Sequence, residues 1–519
     1  MEFNVIYTAG RCAVLETADG GIYTTKEAYQ LFLNGEPAGP VQKVITPIYG
    51  LSPRTDYLAE LRFGDGVVAQ ARFTTEPESV TLNVRDFGAA GDGIKDDTLA
   101  IQSAIMACPP QGRVLIPAGC YSFVCLFLKD GINLELEKGA ELSAVTDRER
   151  FPFYPGMVPY TDQTGDYCLG TWEGDPQKMF CGLITGVHVK NVNIYGEGTL
   201  NGNASHENWW HNCKEMKIAW RPRAVFLNGC ENISLVGLTV KNSPSWTIHP
   251  YFSNHLRFLG LNVLAPKDSH NTDGLDPESC RQVELAGIHF SVGDDCIAVK
   301  SGKIYMGKTY RTPSEHITIR QCSMNDGHGS VVIGSEIGAG VRDLTVRDCI
   351  FKATDRGLRI KTRRGRGEDC VVDRVAFENI RMDGVLTPFV VNCFYFCDPD
   401  GRTEYVQSKE PLPVDERTPS IQELSFKDIH AENAHYAAVC AYGLPEQKIG
   451  HLIFENISVS YAPRVQPEIP AMMDGLEPMA KAGIVARNVR LLTLKNVDIK
   501  GCAGDPVQAE NVETIENRE

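Results

Sequence analysis

No run in the sequence approaches the ~18 consecutive apolar residues that a membrane-spanning helix needs. The opening residues, "MEFNVIYTAGRCAVLETADGG", also lack the basic start and apolar block of a secretory leader. Together these point to the cytoplasm, or to an extracellular or periplasmic enzyme whose leader has been removed. Positive charge is in deficit: 51 Lys and Arg stand against 66 Asp and Glu, a formal net charge of −15. That disfavours nucleic acid or an anionic membrane surface as a partner. Among the 17 Cys there is no CxxC and no His/Cys spacing of a zinc site. They are scattered singly, with Cys296, Cys322 and Cys349 inside apolar runs, and read as small buried hydrophobes in a reducing compartment.

What is present is turn-forming: 48 Gly and 29 Pro in 519 residues, which favours an all-β chain long enough for two domains. Residues 1–78 alternate in short runs such as "NVIYTAG", "CAVLETA", "YLAELRF" and "VVAQARFTT" between Gly, Pro and Asp turns. This predicts a small β-sandwich. "GLSPRTDYLAEL", with Leu51 six residues before Tyr57, is similar to the tyrosine corner of fibronectin type III and related sandwiches. "TTEPES" reads as a linker.

The second domain, residues 82–519, opens with a strand, a Gly-rich turn and one helix pattern. Leu99, Ile101, Ala104 and Ile105 supply the apolar positions of that helix, and Asp96 or Asp97 with Thr98 supplies its cap. Eight-residue strand units then recur, among them "ISLVGLTV" from 233, "VELAGIHF" from 283, "LTVRDCIF" from 344 and "LTLKNVDI" from 492. Repetition at irregular intervals without a long helix predicts a parallel β-helix with variable loops.

A second repeat lies between those units: "DGLDPES" from 273, "DCIAVKS" from 295, "GSVVIGS" from 329 and "RGLRIKT" from 356. By two-residue alternation, Leu275, Ile297, Val331 and Leu358 point inward, whereas Asp276, Glu278, Lys300, Arg359 and Lys361 point outward. Stacked at about 4.8 Å, Asp273 lies over Asp295, and Asp294 shares a column with His328. Two carboxyl groups flanking a glycosidic bond can hydrolyse it, one protonating the leaving oxygen while the other activates water. Mutual repulsion can keep a proton on the acid, and Arg359 and Lys361 suit a substrate carboxylate. Singly, each feature has a bland reading. "GDGIKDD" at 91–97 carries a similar Asp pair that helix capping explains, His328 between glycines reads as a turn, and "RRGRG" at 363–367 as a solvated loop. Their coincidence in one register favours a site on an acidic sugar polymer.

In this order, "NTDG" at 271–274, "GDD" at 293–295, "GHG" at 327–329 and "RIK" at 359–361 resemble the four signatures of the polygalacturonases, glycoside hydrolase family 28. "DFGAAGDGIKDDTLAIQSAI" is similar to the opening of pectin-lyase-like β-helices, whose helix covers the end of the coil. The resemblance implies a right-handed parallel β-helix that hydrolyses α-1,4-galacturonosidic bonds with inversion and without a metal or other cofactor. Its partner is a galacturonic-acid-containing oligo- or polysaccharide. Asp294 is then the general acid, Asp273 and Asp295 hold the attacking water, and His328 supports the acid. Arg359, Lys361, Tyr395 and Asn271 contact substrate, Trp246 and His249 stand near a sugar, and Lys300 lines the same groove. Inversion further implies carboxyl groups about 6.5–9.5 Å apart. The insertion at 151–177 and the added sandwich resemble exo-acting members. Endo-hydrolysis and hydrolysis of rhamnogalacturonan or xylogalacturonan remain alternatives, as do, further off, a Ca²⁺-dependent pectate lyase and a non-catalytic sugar-binding β-helix.

Overall fold

The computed structural model describes residues 1–158 and 167–518, so part of the 151–177 insertion lies outside the described residues. Near the start of the chain, alternating apolar residues form seven strands: β1 (Glu2–Thr8), β2 (Cys12–Ala18), β3 (Thr24–Leu33), β4 (Glu36–Lys43), β5 (Ile45–Tyr49), β6 (Asp56–Phe63) and β7 (Gly66–Thr74). They make two antiparallel sheets, ordered β1-β2-β5 and β4-β3-β6-β7. Inward residues, including Phe3, Leu15, Leu31 and Leu61, share one small core. The Tyr57 hydroxyl accepts a hydrogen bond from the Ser52 backbone N–H at 2.9 Å, the upstream contact of a tyrosine corner.

From Thr81 onward the strands of the coils pair in parallel, coil upon coil, as a right-handed β-helix, and short antiparallel pairs stand out from it between residues 153 and 180. Helix α1 (Thr98–Ala107) closes its first end with Ile101, Ala104 and Ile105 in the core. Leu99 does not follow the expected pattern: it is 80% exposed, because it lies on the turn of α1 facing away from the coil. The cap comes from Asp96, whose Oδ1 accepts from Thr98 N–H at 2.9 Å. The Asp97 carboxylate instead accepts from Ala90 and Gly91 N–H and fixes the preceding loop.

The eight-residue units of the early coils are each two strands meeting at a corner. Glu231–Val236, for example, turns at Gly237 into Thr239–Lys241. The corner needs left-handed backbone, and the chain supplies it in a column: Gly196, Gly237, Gly260 and Gly287, then Gln321, Asp348, Asn379, Asp428, Asn456 and Asn496, all at positive φ. Asn and Asp tolerate this conformation, and here their side chains link along the column. Asn379 donates to Asp348 at 2.7 Å, Asn456 to Asp428 at 2.7 Å and Asn496 to Asn456 at 3.0 Å.

Glycine occupies the early part of the column for a second reason: β5 lies across it. A Cβ on Gly260 would come within 2.5 Å of Pro47, and one on Gly287 within 2.4 Å of Ile45 Cβ. Tyr7, Val14 and Ile45 pack there against Tyr195, Val236, Leu259 and Ala286. Arg320 ties Glu284 of the coil to Glu16 of the sandwich at 2.9 and 2.5 Å. All 17 cysteines are free thiols and 13 are buried. No helix among the described residues is long and apolar enough to cross a membrane.

Gly287→Ala should therefore cost more stability than Gly501→Ala, since Gly501 has a similar φ but open space around it. Both pay about 1–2 kcal/mol for left-handed backbone, and Gly287→Ala a further ~1–3 kcal/mol for the collision. Urea unfolding measures the difference; equal losses would contradict a close-packed sandwich interface.

Candidate active site

The second repeat forms the third face of the coil, in the register that its sequence alignment requires. Leu275, Ile297, Val331 and Leu358 pair in succession and face the core. Glu278, Lys300, Gly334 and Lys361 form the next column on the outward side. Backbone bonds from Gly274 N–H to Asp295 O (2.9 Å) and from His328 N–H to Asp294 O (3.0 Å) bring the signature residues together. Asp273, Asp294 and Asp295 each place a carboxylate oxygen within 4.8 Å of the other two. They line a cavity of about 360 Å³ together with His328, Arg359, Lys361, Lys300 and Asn271. These oxygens lie closer than the wide carboxyl separation expected from the resemblance, because two of the residues are consecutive and the third is one coil away.

The outward columns are not the open surface that alternation alone suggests. Loops cover them, and Arg359 and Lys361 are each only 8% exposed. One wall is the hairpin pairing Thr171–Trp172 with Asp175–Pro176; it is held by Gly174 O accepting from Lys303 N–H at 2.9 Å. Behind it Trp172 stacks on Trp220 at 4.5 Å, and the Arg223 guanidinium lies 4.8 Å from Trp172 and 4.7 Å from Trp246.

Each carboxylate has a different environment. Asp295 is enclosed, with Lys361 Nζ 2.7 Å from Oδ2 and Arg359 Nη1 3.7 Å from Oδ1. The Asp294 side chain is 23% exposed, against 5% for Asp273 and 1% for Asp295, so it is the one most open to the cavity. Its Oδ1 lies 3.2 Å from His328 Nδ1 and accepts from Asp295 N–H at 3.0 Å. Burial pushes the Asp294 carboxyl up, but the His328 hydrogen bond and charge, with Lys361 and Lys300 beyond, outweigh it and bring it down to about 2. His328 is raised in turn, chiefly by its bond to Asp294. Asp273 is pushed well above the ordinary carboxylate range by burial, then by the negative charges of Asp276 and Asp294, with Lys300 opposing. Three carboxylates so close cannot all be ionised at little cost, so the cluster holds a proton in common. At rest that proton is favoured on Asp273.

Tyr395 and Asn271 reach the cavity wall. The Tyr395 ring centre is 5.7 Å from Lys361 Nζ, and Asn271 Oδ1 accepts from Arg221 at 2.6 Å. Trp246 also lines the cavity, but His249 does not, contrary to the expectation of a sugar contact. It is wholly buried, with Nε2 2.9 Å from Glu278 Oε2 and Nδ1 accepting from Arg223 Nε at 3.4 Å, because the Trp–Arg layer covers its column. The sequence reading did not single out Glu336, Asp398 or Met472. All three line the cavity from loops outside the repeat, where periodicity carries no signal. Met472 Sδ accepts from Arg359 Nη2 at 2.7 Å.

A parallel β-helix that gathers three carboxylates beside an Arg/Lys pair on one strand register is the framework of a glycoside hydrolase. The pattern of glycosyl hydrolases family 28 matches residues 170–470, more than half of the chain, and that of the rhamnogalacturonase A/epimerase, pectate lyase-like group matches residues 81–134. The chain belongs to glycosyl hydrolases family 28. It is 27% identical to a probable polygalacturonase of Vitis vinifera, over 83% of this chain and 84% of that one. It is 29% identical to an endo-polygalacturonase of Pectobacterium carotovorum subsp. carotovorum, over 69% and 81%. Among solved structures, a family 28 exopolygalacturonase of Yersinia enterocolitica shares the fold at TM-score 0.69 and 20% identity, covering 99% of this chain and 98% of that one.

The His328–Asp294 bond predicts an NMR titration of the His328 ring with a midpoint above the usual ~6.5. Asp294→Asn should bring that midpoint down, since it removes the partner that favours the cation; an unmoved midpoint would contradict the assigned contact.

Proposed function

We propose that the protein hydrolyses α-1,4-galacturonosidic bonds of pectic galacturonides, releasing sugar from a chain end with inversion. The observation that carries this is one cavity holding both a proton-sharing carboxylate cluster and the Arg359/Lys361 pair. Cations set beside the reacting carboxylates suit a uronic acid rather than a neutral sugar. Asp294, the carboxyl most open to the cavity, gives its proton to the glycosidic oxygen as the anomeric C–O bond breaks. The cluster proton passes from Asp273 to Asp294 before that step. A water held between Asp273 and Asp295 attacks the anomeric carbon and loses its proton to the freed carboxylate. His328 keeps Asp294 oriented and adds a second proton source beside it.

Inversion is favoured despite the short carboxylate separation. Asp273 and Asp295 are almost wholly buried, so neither presents an oxygen to a sugar carbon, although both can hold a water. Chain-end attack is supported by the walls, where the 171–176 hairpin, Tyr395, Asp398 and Met472 bound the cavity. Endo-attack is the second reading, on the strength of the Pectobacterium relative's name. A Ca²⁺-dependent lyase fits the residues less well. Calcium takes six to eight oxygens at about 2.3–2.6 Å, and here Lys361, Arg359, Lys300 and His328 already surround the three carboxylates with positive charge. The division into a 1–78 sandwich and an 82–519 catalytic coil belongs to this reading. So does a reducing, cytoplasmic setting, which the seventeen free thiols support.

With oligogalacturonides, saturated monomer should appear from the first time points, and Asp294→Asn should lower kcat by about 10²–10⁴-fold. Mixed internal fragments with a fast fall in polymer viscosity would replace the chain-end reading by the endo one, and an unsaturated product would overturn hydrolysis. Early ¹H NMR should show the β anomer of the new reducing end; the α anomer would overturn inversion.

A further inference from the structure

Lys300 closes the outward repeat of the second register, and its position suggested a cation that meets the substrate's carboxylate. The structure gives it other neighbours. Its Nζ lies 3.1 Å from Glu336 Oε2, 3.8 Å from Asp273 Oδ2 and 4.0 Å from Asp276 Oδ2. The Trp246 ring centre stands 4.2 Å away on a further side. Lys300 is 3% exposed, which leaves its ammonium almost no surface for a sugar.

The surrounding groups depend on this one charge. Among the described residues, no other Lys or Arg comes within 4.0 Å of Asp273 or Asp276. Asp276 is fully buried, and neither of its carboxylate oxygens has a hydrogen-bond partner; Asp273 Oδ1 and Glu278 Oε1 likewise lack one. Glu278, which neighbours Lys300 in the column, engages His249, and Arg223 lies behind that pair. Asp294 and Asp295, on the same coil as Lys300, stack their carboxylates with that of Asp273, and Lys361 pairs with Asp295. Three carboxylates, those of Asp273, Asp276 and Glu336, thus converge on one ammonium.

We propose that Lys300 is a positioning residue: its ammonium fixes the Asp273 carboxylate and lets it give up the shared proton beside the attacking water, while Arg359 and Lys361 take the substrate's charge. This rests on the roles proposed above for the three aspartates. Glu336 anchors the ammonium from the cavity wall, so the wall loop and the floor of the site are joined through Lys300. Without that charge, Asp273 sits among buried acids and retains its proton, and water activation fails while sugar binding persists.

The test is steady-state kinetics against pH for Lys300→Met, Lys300→Arg and Asp276→Asn on oligogalacturonide. Lys300→Met should lower kcat at neutral pH by at least ~100-fold and leave KM within about threefold. Its acid limb of kcat should move up by about 1–3 pH units, as loss of an adjacent opposite charge requires, so that activity recovers on raising pH. Lys300→Arg should return the limb towards its original place. Asp276→Asn removes a repelling neighbour, so it should move the limb down; this keeps the test open if Lys300→Met does not fold. A KM raised tenfold or more with an unmoved limb would make Lys300 a substrate contact and overturn the proposal. Undiminished hydrolysis in Asp294→Asn would instead overturn the aspartate roles on which it stands.

Discussion

Parallel hydrogen bonding between successive coils sets residues far apart in sequence side by side at about 4.8 Å, and the site is a direct consequence. Pairing of Leu275 with Ile297, and of Ile297 with Val331, leaves no choice about where Asp273, Asp294, Asp295 and His328 stand. The same spacing that lets Asn456 reach Asp428 along the corner column also forces carboxylate upon carboxylate on the third face. On the corner the stacked groups are complementary and stabilise the coil. On the third face they repel, and the protein balances them with Lys361, Arg359, Lys300 and His328. A register slip of one residue would turn these side chains into the core, so inward Leu275, Ile297, Val331 and Leu358 guard the chemistry as much as the fold.

Register is also why so much could be read from sequence. Period-two alternation in "DGLDPES", "DCIAVKS" and "RGLRIKT" gives both the core positions and the outward columns, because both follow from backbone geometry alone. Alternation gives no information about what lies above an outward residue. His249 shares a column with Asp276, and Lys300 one with Lys361, but overlying side chains decide whether either meets solvent. Glu336, Asp398 and Met472 were illegible for the same reason: they arrive from loops whose lengths carry no period. The two-strand corner inside "ISLVGLTV" was carried by a single residue, Gly237, within an otherwise uniform strand pattern.

The glycine column shows how a neighbouring domain constrains backbone chemistry. Where the corner faces solvent, Asn and Asp hold the left-handed conformation and gain lateral hydrogen bonds. Where β5 crosses it, those side chains have no room, and Gly237, Gly260 and Gly287 let Tyr49, Pro47 and Ile45 approach the backbone. Loss of the Asn ladder is offset by apolar burial in the core shared by both parts. The sandwich therefore rests on the coils that lead into the Asp273 and Asp294 turns.

Burial and charge pull against each other at the aspartate cluster, and the balance differs for each aspartate. For Asp294 the adjacent imidazole wins, so the pair His328 and Asp294 shares its proton at the cavity face. For Asp273 burial and its acidic neighbours win, with Lys300 limiting how far. Moving Asp273 towards solvent would relieve its desolvation but take it away from the position over Asp295, where a water can touch both. A buried ammonium lets the carboxylate stay in that position and still yield its proton. The layer of Asp276, Glu278 and His249 under the cavity, with Glu336 at its wall, is thus the electrostatic support that close stacking of carboxylates demands, rather than a second site.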